Sequence, residues 1–274
     1  MTSSLNDVLS AVSTVVWGPF VLMPLLLGTG LYLTIRLGGI QFRTLGRATR
    51  HALIDTSSEG AGDISNYQAL TTALAATVGT GNIVGVATAL SIGGPGSLFW
   101  IWVTGLVGMA TKYSEAYLGV RFRTTDKHGK QQGGPQTYLR RGIPGGLGKV
   151  LAAAFMLFTI FASFGIGNLA QGNSIAAGME DAFGVDPVVS GILIFLCVGA
   201  AVLGGIEGIG KITAAFVPLM IVIYVVGGIA VLITMADQIP AALSAIFTGA
   251  FSGSAAAGGF VGSGIMLAIQ FGVA

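Results

Sequence analysis

Residues 69–92 read ALTTALAATVGTGNIVGVATALSI, an apolar run without one ionisable side chain. The run is long enough for a membrane-spanning helix, which needs about 20 residues. Its middle, TVGTGN at residues 77–82, does not suit an unbroken helix, because each interior glycine weakens a helix by about 1 kcal/mol relative to alanine. Glycines, threonine hydroxyls and an asparagine carboxamide crowd together at this point. The stretch therefore predicts a helix that is interrupted inside a membrane.

The composition of the whole chain also indicates a membrane protein. The chain has 274 residues, 53% hydrophobic and only 9% charged, with a mean hydropathy of +0.83. Soluble domains usually carry roughly 25% charged residues. The net charge of +2 is too small to indicate a nucleic-acid-binding protein. Cys197 is the only cysteine, which excludes an intrachain disulfide and a cysteine-rich metal centre.

Apolar stretches long enough to span a membrane recur along the chain and predict an all-α polytopic membrane protein. They are 14–35, 69–92, 97–118, 150–178, 187–205, 212–235 and 254–274. All 13 Lys and Arg fall on one side of the resulting alternating topology. Because basic loops stay in the cytoplasm, we predict a multi-pass protein of the plasma (cell inner) membrane with its N-terminus outside. The seventh stretch ends without a basic anchor, so we also expect a sequence truncated after its seventh span.

Residues 77–82 have three competing interpretations. In a packing seam, small residues would let another helix approach, but a seam does not need the Asn82 carboxamide. In a channel, TVGTG would act like the potassium-filter pattern TVGYG, yet that filter follows a re-entrant helix rather than lying within a complete span. In an unwound transport helix, free amides bind an anionic group while carbonyl and hydroxyl oxygens bind a cation. We favour the third interpretation because it uses every residue of the stretch.

Two further stretches carry polar or helix-breaking residues within predicted spans. In FASFGIGNLAQGNSIA, residues 161–176, helical spacing puts Phe164, Asn168 and Gln171 on one face. That face either forms hydrogen bonds between helices or lines a cavity. In the last predicted span, Gly258 and Gly259 mark a candidate second break. We find no paired carboxylates, histidine cluster or nucleophile–base pair at membrane depth, so we do not expect an enzyme.

These motifs together resemble a known family. The run from residue 69 to residue 102 is followed by KYSEAYLGVRFR at 112–123, GGPQTYL at 133–139 and FGIGNLAQGNSIA at 164–176. In this order they closely resemble the alanine or glycine:cation symporters, also called sodium:alanine symporters. The resemblance implies a leucine-transporter-type fold with two inverted five-helix repeats. Residues 1–274 would then form a single transmembrane domain, divided into an extra helix, a first repeat and the start of a second (14–35, 69–235 and 254–274).

The resemblance also implies which residues form the binding site. The first broken core helix of the family matches residues 77–82, which implies a substrate site at Thr77, Gly79, Thr80, Gly81 and Asn82. By a weaker analogy with neurotransmitter:sodium symporters, the Thr80 and Gly81 amides would face a substrate carboxylate. A sodium ion would be bound at Ala75, Thr77, Val78 and Asn82. The pocket would be bordered by Phe164, Gln171, Gly259 and Phe260.

The implied function is sodium-coupled symport of small neutral amino acids, alanine or glycine first, into the cell by alternating access. The partners would be the amino acid, the sodium ion as coupling ion and the lipid bilayer, with no organic cofactor and no nucleic acid. Two alternatives stay open from the sequence: a cation channel and a proton-coupled amino-acid transporter.

Overall fold

The computed structural model describes residues 21–54 and 62–251, together with a few isolated positions before residue 21. Nearly all of this described chain is helical. The elements are α1 (Leu22–Arg36), α2 (Ile40–Arg43), α3 (Leu45–Leu53), α4 (Asn66–Thr77), π1 (Gly81–Gly85), α5 (Val86–Gly93), α6 (Ser97–Arg121), β1 (Thr124–Thr125), β2 (Gln131–Gln132), α7 (Pro135–Gly142), α8 (Gly146–Phe164), π2 (Gly165–Leu169), α9 (Ala170–Phe183), α10 (Pro187–Leu203), α11 (Gly205–Thr234), a 3₁₀ turn (Ala236–Gln238) and α12 (Ile239–Gly249).

The predicted spans within the described residues correspond to helices. In the described part of the chain, two helices are long and apolar enough to cross a membrane: Gly146–Phe183, with 38 residues, and Gly205–Thr234, with 30. The pair Asn66–Thr77 and Gly81–Gly93 becomes a third candidate if its two bent halves count as one span. The helix Pro187–Leu203 is apolar but shorter. The predicted stretch 254–274 and part of 14–35 lie outside the described residues, so the repeat organisation stays a prediction.

The boundary between α10 and α11 differs from the predicted one. The predicted spans 187–205 and 212–235 leave a short connection between them that carries Glu207 and Lys211. Instead α11 begins at Gly205, and only Gly204 separates it from α10. Gly205 has a φ of 60°, a conformation that side chains disfavour, so this glycine lets one helix follow another without a loop. Long charged side chains remain solvated from within a helix end, so the two charges did not require a break.

The described chain divides into two compact units, which alternate along the sequence. The first unit contains the described residues up to Arg43, then Thr80–Glu115, then the described residues from Gln238 onwards. The second unit contains Thr44–Gly79 and Ala116–Asp237. The chain therefore passes from one unit to the other inside the predicted break at residues 77–82.

In the first unit, close backbone approach holds α1 against α6. A Cβ atom added at Gly30 would lie 2.9 Å from the Val107 carbonyl oxygen, so only glycine permits this contact. A hydrogen bond joins α6 to the residue after α12: the Trp100 indole nitrogen donates to the Ala250 carbonyl oxygen at 2.6 Å. Each contact involves a main-chain carbonyl oxygen, and the first depends on a small residue, as in other closely packed membrane helices.

In the second unit, α4 packs along α11. The hydroxyl oxygens of Thr72 and Thr213 lie 3.0 Å apart in a hydrogen bond between the two helices. Gly210 is buried, and a Cβ atom added there would lie 3.6 Å from the Gln68 Cβ atom. The start of α4 is fixed by a capping box, in which the Gln68 amide donates to Ser65 Oγ and the Ser65 amide donates to Gln68 Oε1. These contacts position the first half of the interrupted helix.

The predicted loop after α6 contains a short antiparallel hairpin, formed by β1 and β2. The hairpin contacts the segment before α4, where the Gln131 amide donates to Asp63 Oδ2 at 3.1 Å. It also contacts the start of α11, where Lys130 Nζ lies 3.5 Å from Glu207 Oε1. The predicted all-α class therefore holds apart from this hairpin of two residues per strand.

Candidate functional site

The helix that begins at Asn66 is interrupted where the sequence predicts it. The α-helix ends at Thr77, and Val78 adopts an extended conformation with φ −84° and ψ 110°. A π-helical segment, Gly81–Gly85, then leads into α5. The two halves, Asn66–Thr77 and Gly81–Gly93, are bent by 54°. The predicted helix break is thus confirmed.

The first half ends in a group of oxygen atoms. Its last regular hydrogen bond runs from the Val78 amide to the Leu74 carbonyl oxygen at 2.8 Å. The next carbonyls, at residues 75–78, have no partner within α4, because an α-helix leaves its last four carbonyls unpaired. The Thr77 hydroxyl donates to the Ala73 carbonyl oxygen at 2.7 Å, which leaves the lone pairs of that hydroxyl oxygen as acceptors. Such an end offers the oxygen ligands that a hard cation prefers.

The second half begins with amide groups. Thr80 has helical dihedral angles, φ −57° and ψ −30°, and Gly81 opens the π segment. The first amides of a helix have no partner within it and form its electropositive end. Asn82, in the same turn, is exposed. A π segment inside a helix is rare and often marks a functional position.

Gln171 connects the two polar stretches within the second unit. A Cβ atom added at Gly79 would lie 3.3 Å from Gln171 Oε1 and 3.6 Å from Gln171 Nε2. The carboxamide of Gln171 therefore lies against the backbone of the interrupted segment, and the absence of a side chain at Gly79 makes room for it. Gln171 is the second residue of α9. The structure therefore brings together Gly79 and Gln171, two of the residues that the sequence predicts for the site.

The family is decided by comparison with known proteins. A family model described as the sodium:alanine symporter family matches residues 2–274. The chain belongs to this family. It is 49% identical to the sodium/alanine symporter AgcS of Methanococcus maripaludis, over 97% of this chain and 60% of that protein. It is 46% identical to an uncharacterized transporter of Haemophilus influenzae, over 99% of this chain and 59% of that protein. It is 32% identical to a probable sodium/glutamine symporter, GlnT of Bacillus subtilis, over 100% of this chain and 56% of that protein.

The predicted family is therefore confirmed, and the protein is a membrane-embedded member of a transporter family. The chain spans about three fifths of the length of the relatives named here. Alanine and glutamine are named as substrates of two of these relatives, AgcS and GlnT.

A second interruption in this symporter-family chain was not predicted. The helix from Gly146 to Phe183 contains the π segment Gly165–Leu169 at its middle. Both π segments overlap the same four-residue pattern, Gly-x-Gly-Asn: the pattern at 79–82 overlaps the first two residues of π1, and the pattern at 165–168 forms the first four residues of π2. The repeated pattern is the sequence signal that could have indicated the second segment.

The second π segment changes the predicted common face of Phe164, Asn168 and Gln171. A π turn contains more residues than an α turn, so residues on either side of it do not keep the spacing of 3.6 residues per turn. Gln171 is half-buried against Gly79, whereas Phe164 is 69% exposed and Asn168 is exposed. The predicted pocket residues Gly259 and Phe260, together with the break at Gly258, lie outside the described residues.

Proposed function

We propose that this chain is part of a sodium-coupled importer of small neutral amino acids, with alanine or glycine as the first candidates. The observation that carries the proposal is the interruption at residues 77–82 with the Gln171 carboxamide placed against Gly79. The names of the relatives, sodium/alanine and sodium/glutamine symporters, support the same class of substrate.

An amino acid is a zwitterion, and the two ends of the interrupted helix have the matching chemistry. The amides at Thr80 and Gly81 form the electropositive start of the second half and suit the substrate carboxylate. The Gln171 carboxamide offers both a donor and an acceptor beside Gly79. Glycine at position 79 leaves room for that carboxamide, and glycine at position 81 adds no side chain of its own to cover the backbone amides. We propose Thr77, Gly79, Thr80, Gly81, Asn82 and Gln171 as the substrate-binding residues, with Phe164, Gly259 and Phe260 at its border.

Sodium is the cation that this segment suits. The proposed ligands are the carbonyl oxygens of Ala75 and Val78, the Thr77 hydroxyl and the Asn82 carboxamide oxygen, all of them uncharged. A coupled proton would need a titratable group to carry it, and residues 69–92 contain none. The absence of an ionisable side chain from this run therefore favours sodium over proton coupling.

Coupling follows if sodium and substrate bind together at the interruption. Each ligand shifts the equilibrium between outward-open and inward-open states by its difference in affinity for the two states. When both ligands favour the same state, the inward sodium gradient drives the uptake of the amino acid. This alternating-access scheme needs two-state motion of the helices around the site, whereas a channel would need a continuous path.

The orientation that we propose places the N-terminus outside and the hairpin of β1 and β2 in the cytoplasm. The support is the distribution of all 13 Lys and Arg on that side of the alternating topology. With Cys197 replaced by serine, a membrane-impermeant maleimide should label Asp237→Cys in intact cells but label His128→Cys only after permeabilisation. The reverse pattern would refute this orientation.

Uptake by the intact protein in proteoliposomes tests the proposed function. We expect alanine uptake that saturates with alanine, requires an inward sodium gradient and persists when the pH gradient is collapsed. A saturating response distinguishes a carrier from a channel, because a carrier must release its ligands before it turns over. Uptake that follows a proton gradient without sodium would reject sodium coupling, and current that rises linearly with ion concentration would favour a channel.

A further inference from the structure

A polar cleft of about 710 Å³ opens in the second unit, away from the interrupted helix. Its walls come from the hairpin of β1 and β2, from α7 and from the start of α8. The cleft is lined by Thr124 of the hairpin, by Gln136, Arg140 and Arg141 of α7, and by Ala152 and Met156 of α8. None of the described residues that line it is acidic.

The donors of the cleft suit a phosphate group. A guanidinium presents planar N–H groups that bind phosphate oxygens in pairs, and two of them line this cleft. Gln136 Nε2 donates one hydrogen bond of 3.0 Å to the Gly133 carbonyl oxygen, which fixes that carboxamide and leaves its second N–H available. An ionised phosphodiester offers only acceptors, and an inorganic phosphate ion offers mainly acceptors, so this set of donors matches both.

Within the described part of the chain, nearby carboxylates do not neutralise these arginines. The Asp126 carboxylate accepts hydrogen bonds from the His128 and Lys130 amides, at 2.8 and 2.9 Å, inside its own turn. The Asp63 carboxylate accepts a hydrogen bond of 3.1 Å from the amide of Gln131, which also lines the cleft. Glu207 forms an ion pair with Lys130. Among the described residues, no ion pair joins Arg140 or Arg141 to an acidic side chain. The positive charge of the cleft therefore stays available for an anion.

The other wall of the cleft is apolar and belongs to a membrane-spanning helix. Ala152 and Met156 lie in the second and third turns of α8, which is part of the helix Gly146–Phe183. The cleft thus joins a charged loop to the start of an apolar span, the level at which lipid headgroups lie. Basic pockets at this level attract anionic headgroups.

We propose that this cleft binds a phosphate-bearing anion, through Arg140 and Arg141, at the membrane surface. Two sources supply this chemistry: the headgroup of an anionic phospholipid, whose acyl chain would run along Met156, and free phosphate. The site is independent of the interrupted helix and does not rest on the proposed transport function.

The test compares lipid and phosphate binding to the intact protein and to the double variant Arg140→Gln/Arg141→Gln. Native mass spectrometry measures retention of phosphatidylglycerol against phosphatidylcholine, and inorganic phosphate is added as a competitor. We expect the variant to bind phosphatidylglycerol at least about tenfold more weakly, since the loss of a single charged hydrogen bond already lowers the affinity by about that factor. Competition by inorganic phosphate would identify free phosphate as a ligand of the site; its failure to compete would identify the lipid.

The matched control is Arg47→Gln/Arg50→Gln, which removes the same charge from the exposed helix α3. The control should bind phosphatidylglycerol as the unmodified protein does. The variant Arg140→Lys/Arg141→Lys keeps the charge but loses the paired N–H groups, so we expect an intermediate affinity. Equal losses in the α3 control and the cleft variant would overturn the proposal, as would unchanged binding of both ligands in a cleft variant that melts at the unmodified temperature.

Discussion

Replacing Gly79 by leucine is expected to lower sodium-dependent alanine uptake by the intact protein about tenfold or more. A Cβ atom at this position would lie 3.3 Å from Gln171 Oε1, so a larger side chain must displace the carboxamide or shift the end of α4. Overpacking of this kind typically costs about 1–3 kcal/mol, and 1.4 kcal/mol corresponds to a tenfold change in affinity. Radiolabelled alanine uptake, normalised to the amount of protein in the membrane, measures the effect.

Gly199→Leu is the matched control for this substitution. Gly199 also lies in an apolar helix, Pro187–Leu203, but among the described residues no heavy atom beyond the adjacent helix backbone lies within 4 Å of an added Cβ atom there. We therefore expect normal uptake from the control. Wild-type uptake by Gly79→Leu would show that the contact between Gly79 and Gln171 is not part of the binding site.

Replacing Thr77 by alanine is expected to raise the sodium concentration for half-maximal uptake about tenfold, because a hydrogen-bonding or ligating group opposite a charge contributes about 1.5–3 kcal/mol. The Thr77 hydroxyl donates to the Ala73 carbonyl oxygen at 2.7 Å, and its oxygen remains able to accept or to ligate. The alanine concentration for half-maximal uptake at saturating sodium should change less. A sodium titration at fixed alanine gives the first value, and an alanine titration at saturating sodium gives the second.

The chain supplies a close control in Thr88. Its hydroxyl makes the same kind of bond, to the Val84 carbonyl oxygen at 2.8 Å, in the other half of the interrupted helix. Thr88→Ala therefore loses an equivalent intrahelical hydrogen bond away from the interruption, and we expect its sodium dependence to stay normal. Equal shifts for Thr77→Ala and Thr88→Ala would mean that the Thr77 hydroxyl only stabilises its helix.

The first interruption could be predicted because its signal is local. Gly79 and Gly81, separated by one residue, both weaken the helix. This weakening can be predicted without knowing which other helices pack nearby. The apolar run on either side is long enough to fix the depth of the interruption within a span. Composition and loop charge are also local or additive properties, so they indicated a membrane protein before any fold was known.

The second interruption escaped prediction because a π segment keeps the chain helical. The helix Gly146–Phe183 continues through Gly165–Leu169, so apolar length alone indicates one ordinary span. An α-helical spacing was then assumed for Phe164, Asn168 and Gln171. Only the shared pattern Gly-x-Gly-Asn, at residues 79–82 and 165–168, carries a trace of the second segment in the sequence.

Contacts between distant residues could not be predicted from one sequence. Nothing in the sequence alone places the Gln171 carboxamide against Gly79, because their distance depends on how α4 and α9 pack. In the same way, Arg140 and Arg141 contribute to the predicted topology as positive charges. Their place in a cleft with Gln136 and Met156 follows from the fold of the hairpin and α7.

The most direct test of the account is the sodium dependence of alanine uptake by Asn82→Ala and Gly81→Leu in the intact, reconstituted protein. We predict that Gly81→Leu takes up little alanine at any sodium concentration, because its side chain covers the backbone amides proposed to bind the substrate carboxylate. We predict that Asn82→Ala needs about tenfold more sodium, as expected for the loss of one oxygen ligand. Uptake and sodium dependence that survive both substitutions would contradict the assignment of residues 77–82 as the substrate and sodium site.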